Sequence, residues 1–327
     1  MKTRQKKLFR SVLLSALPVM GLTAGSFVPV MADPIVIEPM APPVSEPIRT
    51  SIDDKETAAP LDPKDYPQGL LFPYSLLDDA YKNNIDLNGN VAYANLKDNK
   101  KLGNYVLAAA VADLSEFPIF DVYKEDEETG RKTKVSKDRT PELVFWLNTY
   151  NALMLYNVAQ AYPLQSVDLI KNFDTEKKHR VAGKNYSFKE LREKIASFGD
   201  PRAMFALTSG TAGGFLPSPT AIRYIELSPR LDAAVSVFVN DQRNVALTRI
   251  QNVVVVNPMF KEIDAAFAKS RRNKWDGIRQ VLALYTKQRG NRSYFTTNEY
   301  RIDFGAMNRN VNDAFNNSMV GGVQSMK

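Results

Sequence analysis

The strongest helix signal in the chain is LVFWLNTYNALMLYNVAQAY, residues 143–162. Large apolar groups occupy almost every face of its five or so turns, which predicts a central, buried helix. Thr140 can cap it, Pro141 suits its first helical position and Glu142 favours the helix dipole. Two amides interrupt the apolar surface. Asn148 and Asn151 stand at i and i+3, so they share a face, while Asn157 lies about 180° around the helix from Asn148. Buried amides must be hydrogen-bonded. The pair either braces neighbouring loops or forms the polar floor of a site.

Other stretches carry weaker periodicity. YSLLDDAYKN reads as a helix, followed by a turn at Asn88-Gly89 beside a short strand. A helix is predicted over Asn99–Leu114, then a charged loop or hairpin around Gly130 in residues 123–139. HRVAGKNYS reads as a strand and turn, with His179 placed on an exposed turn. Ser187 and Glu190 have capping-box spacing for the next helix. MFAL, residues 204–207, reads as a short buried strand. Ser228-Pro229 starts a helix with Leu231, Ala234, Val235 and Phe238 inside. VALTRI and NVVVV form a hairpin across Gln251-Asn252. Helices are predicted at Pro258–Ala268 and Trp275–Gln288, the latter stopped by Gly290. No repeat is present. The class is α+β: a mostly helical domain packed on a small antiparallel sheet, one globular domain over residues 66–316.

Composition changes the picture at the N-terminus. Residues 1–32 have a basic start, an apolar stretch broken by Pro18, Gly21 and Gly25, and small residues near Ala32. This predicts a secretory signal peptide cut between Ala32 and Asp33; an uncleaved anchor helix is the alternative. Proline-rich residues 33–65 read as a disordered linker and residues 317–327 as a flexible tail. The expected location is the periplasm or the exterior, with no transmembrane span in the mature chain. The formal charge of +7 falls to +2 once Lys2, Arg4, Lys6, Lys7 and Arg10 are set aside. The remaining basic groups are spread among acids, which argues against nucleic acid. The chain has no cysteine and one histidine. Disulfides, thiol nucleophiles and cysteine-bound metals are thereby excluded.

Asp86, Asn88 and Asn90 have the spacing of a calcium loop. Val91 stands where such a loop needs glycine and Lys97 where it needs an acid, so calcium is rejected. No metal or cofactor is expected. The hydroxyl-rich stretch MFALTSGTAGGFLPSP, residues 204–219, is the other candidate. A phosphate loop counted from Gly210 would need glycine at Phe215. A hydrolase elbow around Ser209 would need glycines at Leu207 and Thr211. A serine followed three residues later by lysine fails at Ala212. Ser209 could act as a nucleophile only with a base, and His179 sits among cations. Arg202 could clamp a carboxylate, or form a buried salt bridge.

The order of segments resembles the domain of unknown function 547 family. The similarity is carried by NIDLNGNVAYANLKDNKKLGNYV, PELVFWLNTYNALMLYNV, VAGKNYSFKELREKI, DPRAMFAL, LSPRLDAAVSVFVND and VNPMFKEIDAAF, and spans about Pro73 to Phe315. The chain departs from the pattern at the reactive positions. The resemblance implies histidines where Glu193 and Met204 stand, a cysteine at Ser209 and a second cysteine at about Gly214. Such groups would suit acyl-transfer or thiol-protease-like chemistry, although the family has no settled activity. The resemblance therefore implies a scaffold without its reactive groups. The expected function is a non-catalytic, pseudoenzyme-like binding protein of the cell envelope. Its ligand would be a small molecule, a peptide or an envelope protein, held in a relic cleft by Asn148, Tyr150, Asn151, Arg202, Ser209 and Thr211. The alternatives are a hydrolase or acyltransferase with Ser209 attacking and Glu193 or a lysine as base, and a structural envelope or matrix component.

Overall fold

The computed structural model describes residues 72–126, 129–268 and 275–315. The predicted signal peptide, linker and tail, and residues 66–71 of the predicted domain, lie outside the described residues. Three short segments open the fold: α1 (Ser75–Tyr81), α2 (Tyr93–Leu96) and α3 (Lys100–Val111). Asn99 caps α3, its Oδ1 accepting from Lys101 N and Leu102 N. A hairpin of β1 (Phe120–Glu125) and β2 (Lys132–Asp138) follows. Then comes α4 (Thr140–Ala161), the buried helix the apolar run predicts. Thr140 is inside α4 rather than capping it. Its N–H is taken by the Asp138 carboxylate at 2.7 Å, so the cap comes from two residues earlier.

Strands β3 (His179–Val181) and β4 (Lys184–Tyr186) turn through Ala182 and Gly183, both with positive φ. Helix α5 (Phe188–Ala196) carries the Ser187–Glu190 capping box. His179 is not on an exposed turn. It is 8% exposed and its ring lies 4.6 Å from the Phe188 ring. The basic neighbours point to solvent while the histidine alternates inward, as strand geometry requires.

MFAL is not a strand. Residues Pro201–Ala206 form a 3-10 helix. Asp200 caps it by accepting from Arg202 N, and Pro201 presets the first φ, so a cap and a helix-compatible start override the short apolar run. Helix α6 (Leu227–Asn240) follows. Strands β5 (Val245–Thr248) and β6 (Val253–Val256) pair as the predicted hairpin. Helices α7 (Phe260–Phe267), α8 (Asp276–Tyr285) and α9 (Arg289–Thr297) lead to β7 (Arg301–Phe304). Gly290 does not stop a helix; it lies in the first turn of α9. The stop after α8 is supplied by Asn240, which donates to Tyr285 O at 2.8 Å and accepts from Lys287 N at 2.7 Å.

The α+β class holds, with antiparallel pairs at β1–β2, β3–β4 and β5–β6. The strands form separate small sheets rather than one, and β7 joins β6 in parallel. The core has two parts. One surrounds α4, with Trp146, Phe145, Phe188 and Leu191; the other gathers Phe205, Phe215, Phe238, Phe260 and Leu282 between α6, α7 and α8. Helix α6 serves both, through Leu231 and Val235 respectively. Met204 packs against both as well, so the segment 201–216 runs along the seam.

Candidate functional site

The loop after the 3-10 helix can be judged by where its backbone N–H groups go. Thr208 N donates to Asn151 Oδ1 at 2.8 Å and Ser209 N to Phe215 O at 2.9 Å. Gly210 N and Thr211 N turn to the Thr208 and Ser209 hydroxyls. Ala212 N and Gly213 N donate to Asn310 O and Asn308 O, and Gly214 N to Thr211 O. Every amide that could cradle an anion is committed to the protein itself. Gly214 is crowded: a Cβ there would lie 2.0 Å from Ser209 Oγ and 2.7 Å from Thr211 Oγ1. The two positions where the resemblance implies cysteines, Ser209 and about Gly214, thus touch.

The two amides of α4 hold this loop and its neighbour. Asn151 Nδ2 donates to Ala206 O at 2.8 Å while its Oδ1 takes Thr208 N. Asn148 Nδ2 donates to Ile222 O at 2.8 Å and its Oδ1 accepts from Ile222 N at 2.9 Å. Each side chain therefore replaces a strand partner for one residue or one turn of backbone. Arg202 is engaged by Asp200 Oδ2 at 2.7 Å and Asp232 Oδ1 at 3.0 Å. Glu193 is exposed on α5, 3.9 Å from Lys189.

A cavity of about 440 Å³ opens beside the loop. Of the residues singled out in the sequence, Tyr150, Ser209 and Thr211 line it; Asn148, Asn151, Arg202 and Glu193 do not. Met204 lines it too, so the positions where the resemblance implies a histidine and a cysteine face one space. The floor is apolar, with Met154, Val167, Phe173, Leu207 and Phe215 buried. The mouth carries ion pairs: Arg192 grips Asp174 through both nitrogens at 2.6 and 2.7 Å, and Arg309 pairs with Asp168. Arg192 also reaches Tyr150 Oη at 3.4 Å. Burial raises the Tyr150 phenol above its usual value, partly offset by that guanidinium, so the group stays protonated.

Ser209 Oγ accepts from Thr211 N at 3.3 Å, and its proton has two neighbours to go to, Thr211 Oγ1 at 2.9 Å and Phe215 O at 3.3 Å. Neither can take its proton as a base. His179 is held elsewhere, with Nδ1 3.5 Å from Asn157 Nδ2 and Nε2 buried without a hydrogen-bond partner. Burial, and secondarily the charge of Lys177, lower its pKa to about 4. Asp86 spends its carboxylate on Asn88 N and Asn90 N, both at 2.8 Å, which closes a turn. Among the described residues no three His, Cys, Asp or Glu side chains gather as a metal-binding group. No helix among them is long and apolar enough to cross a membrane.

Sequence reading missed the rest of the lining. Met154 was within reach, since it stands at i+4 from Tyr150 and so shares its face. Arg192, Asp174, Met259, Met307 and Arg309 gave no local signal, because the fold brings them from four separate segments.

The chain matches no curated protein and no solved structure. Its central part contains the α4 amides, the capped α5, the Asp-Pro-Arg turn and the hydroxyl loop, and the family read from those segments is matched there: residues 135–239 fit the family described as protein of unknown function, DUF547.

Proposed function

We propose that this is an exported, non-catalytic binding protein of the cell envelope whose ligand occupies the cavity beside the Ser209 loop. Export rests on the pattern of residues 1–32. The observation that carries the binding reading is the environment of Ser209. Its hydroxyl meets a second hydroxyl and a carbonyl, with no acid, lysine or histidine within hydrogen-bond distance. A serine without a base is a weak nucleophile at neutral pH. Glu193, the base considered from the sequence, is outside the cavity. What remains is a concave space with an apolar floor and a polar rim that includes Asp168, Asp174, Arg192, Glu262 and Arg309, a shape and mixture that can hold a small ligand.

The test is covalent. The mature chain from Asp33, treated with a fluorophosphonate probe, leaves the peptide bearing Ser209 unlabelled by mass spectrometry. Stoichiometric label on Ser209 overturns the non-catalytic reading.

A further inference from the structure

The chain has ten methionines, of which four fall among the described residues: Met154, Met204, Met259 and Met307. All four line the one cavity. They arrive from α4, the 3-10 helix, the turn before α7 and the segment after β7. Met154 belongs to the core around α4, and Met204 and Met259 pack against the core clusters, so the methionines are concentrated where the core borders the cavity. The rest of the described core is built from leucine, valine, isoleucine, alanine and aromatic residues. A thioether side chain is unbranched and polarisable, so it repacks around a guest and makes favourable contacts with aromatic rings.

We propose that the cavity takes an uncharged aromatic small molecule, its ring clasped by the four thioethers and its polar group facing the Ser209–Thr211 hydroxyls. This rests on the binding reading above and adds the chemical class. Three observations support it. The volume, about 440 Å³, suits a molecule of up to three rings and far exceeds what a lone ion needs. Both arginines at the mouth are already paired with carboxylates, so a ligand carboxylate would have to displace one. Tyr150, Phe173 and Phe215 extend the ring-binding surface between the methionines.

The experiment titrates the mature chain with N-phenyl-1-naphthylamine, an uncharged aromatic fluorophore, with 1-decanol as an aliphatic comparison. One saturable site is expected, with micromolar affinity for the fluorophore. Replacing all four methionines with leucine keeps the apolar volume but removes sulfur and flexibility; it should weaken fluorophore binding about tenfold. Circular dichroism and the unfolding midpoint check that this variant folds. Met259→Leu, a single change at a half-buried turn position, should weaken it by a smaller factor if the fourfold variant fails. Equal fluorophore affinity in wild type and leucine variants overturns the methionine role. Saturable decanol binding without fluorophore binding overturns the aromatic class and leaves the binding reading standing. Tight silver-ion binding with no fluorophore binding overturns it in favour of a soft metal. Label on Ser209 by the fluorophosphonate would instead sink the binding reading beneath it.

Discussion

The two sides of the cavity are built in opposite ways. On one side stands the hydroxyl loop, where each backbone N–H from Thr208 to Gly214 has a partner and Asn151 grips both ends of the entering turn. The other part of the lining is four methionine side chains, each on a different segment, whose thioethers make only packing contacts. The first side is fixed by geometry that one missing atom would disturb. The second is fixed only by contact, and contact can be remade. A binding site with one rigid and one yielding wall can orient a polar group while tolerating variation in the apolar part of its guest.

The largest expected effect strikes the rigid wall. Asn151→Ala would leave Ala206 O and Thr208 N without partners where α4 meets the loop. Each orphaned group costs about 1–3 kcal/mol, so a loss on the order of 4 kcal/mol is expected in urea unfolding. A loss under about 1 kcal/mol would mean that the loop holds its shape without the helix, and the contrast between the walls would fail.

The next test concerns the helix on which both walls stand. Asn157, on the opposite side of α4, abuts buried His179, whose pKa is lowered to about 4 against an ordinary value near 6.5. Below pH 6.5 the unfolded chain takes up a proton that the native chain refuses, so stability falls with acidification until about pH 4. Between pH 7 and pH 4.5 this amounts to about 2–3 kcal/mol. In His179→Leu the corresponding difference in urea-unfolding stability should shrink by about that much. An unchanged acid dependence would place the titration elsewhere.

The smallest effect belongs to the yielding wall. Met154→Leu conserves volume, and a change under about 1.5 kcal/mol in unfolding free energy is expected. A larger loss would show that this wall too is packed to a fixed shape.

These contrasts also explain what could be read from the chain. The buried helix α4, the Ser187 capping box, the β5–β6 hairpin and the α+β class were legible because each is written in contiguous residues. MFAL misled because four apolar residues fit either a strand or a buried turn, and the decision came from Asp200 and Pro201 before it. Gly290 misled because the halt after α8 is made by Asn240, far away in sequence. Strand β7 pairs in parallel with β6 only after three intervening helices, which no local pattern announces. The site followed the same rule. Tyr150, Ser209 and Thr211 lay within motifs and were found, whereas Met259, Met307 and Arg309 became neighbours only through folding.

The crowding at Gly214 bears on how this chain can change. A side chain at 214 would collide with the Ser209 and Thr211 hydroxyls at once. A side chain at 214 therefore requires changes at 209 and 211, and the order of substitutions matters. Any path that introduces a larger residue at 214 must first move or shrink its neighbours. That requirement makes placing two large side chains at this corner a coordinated event.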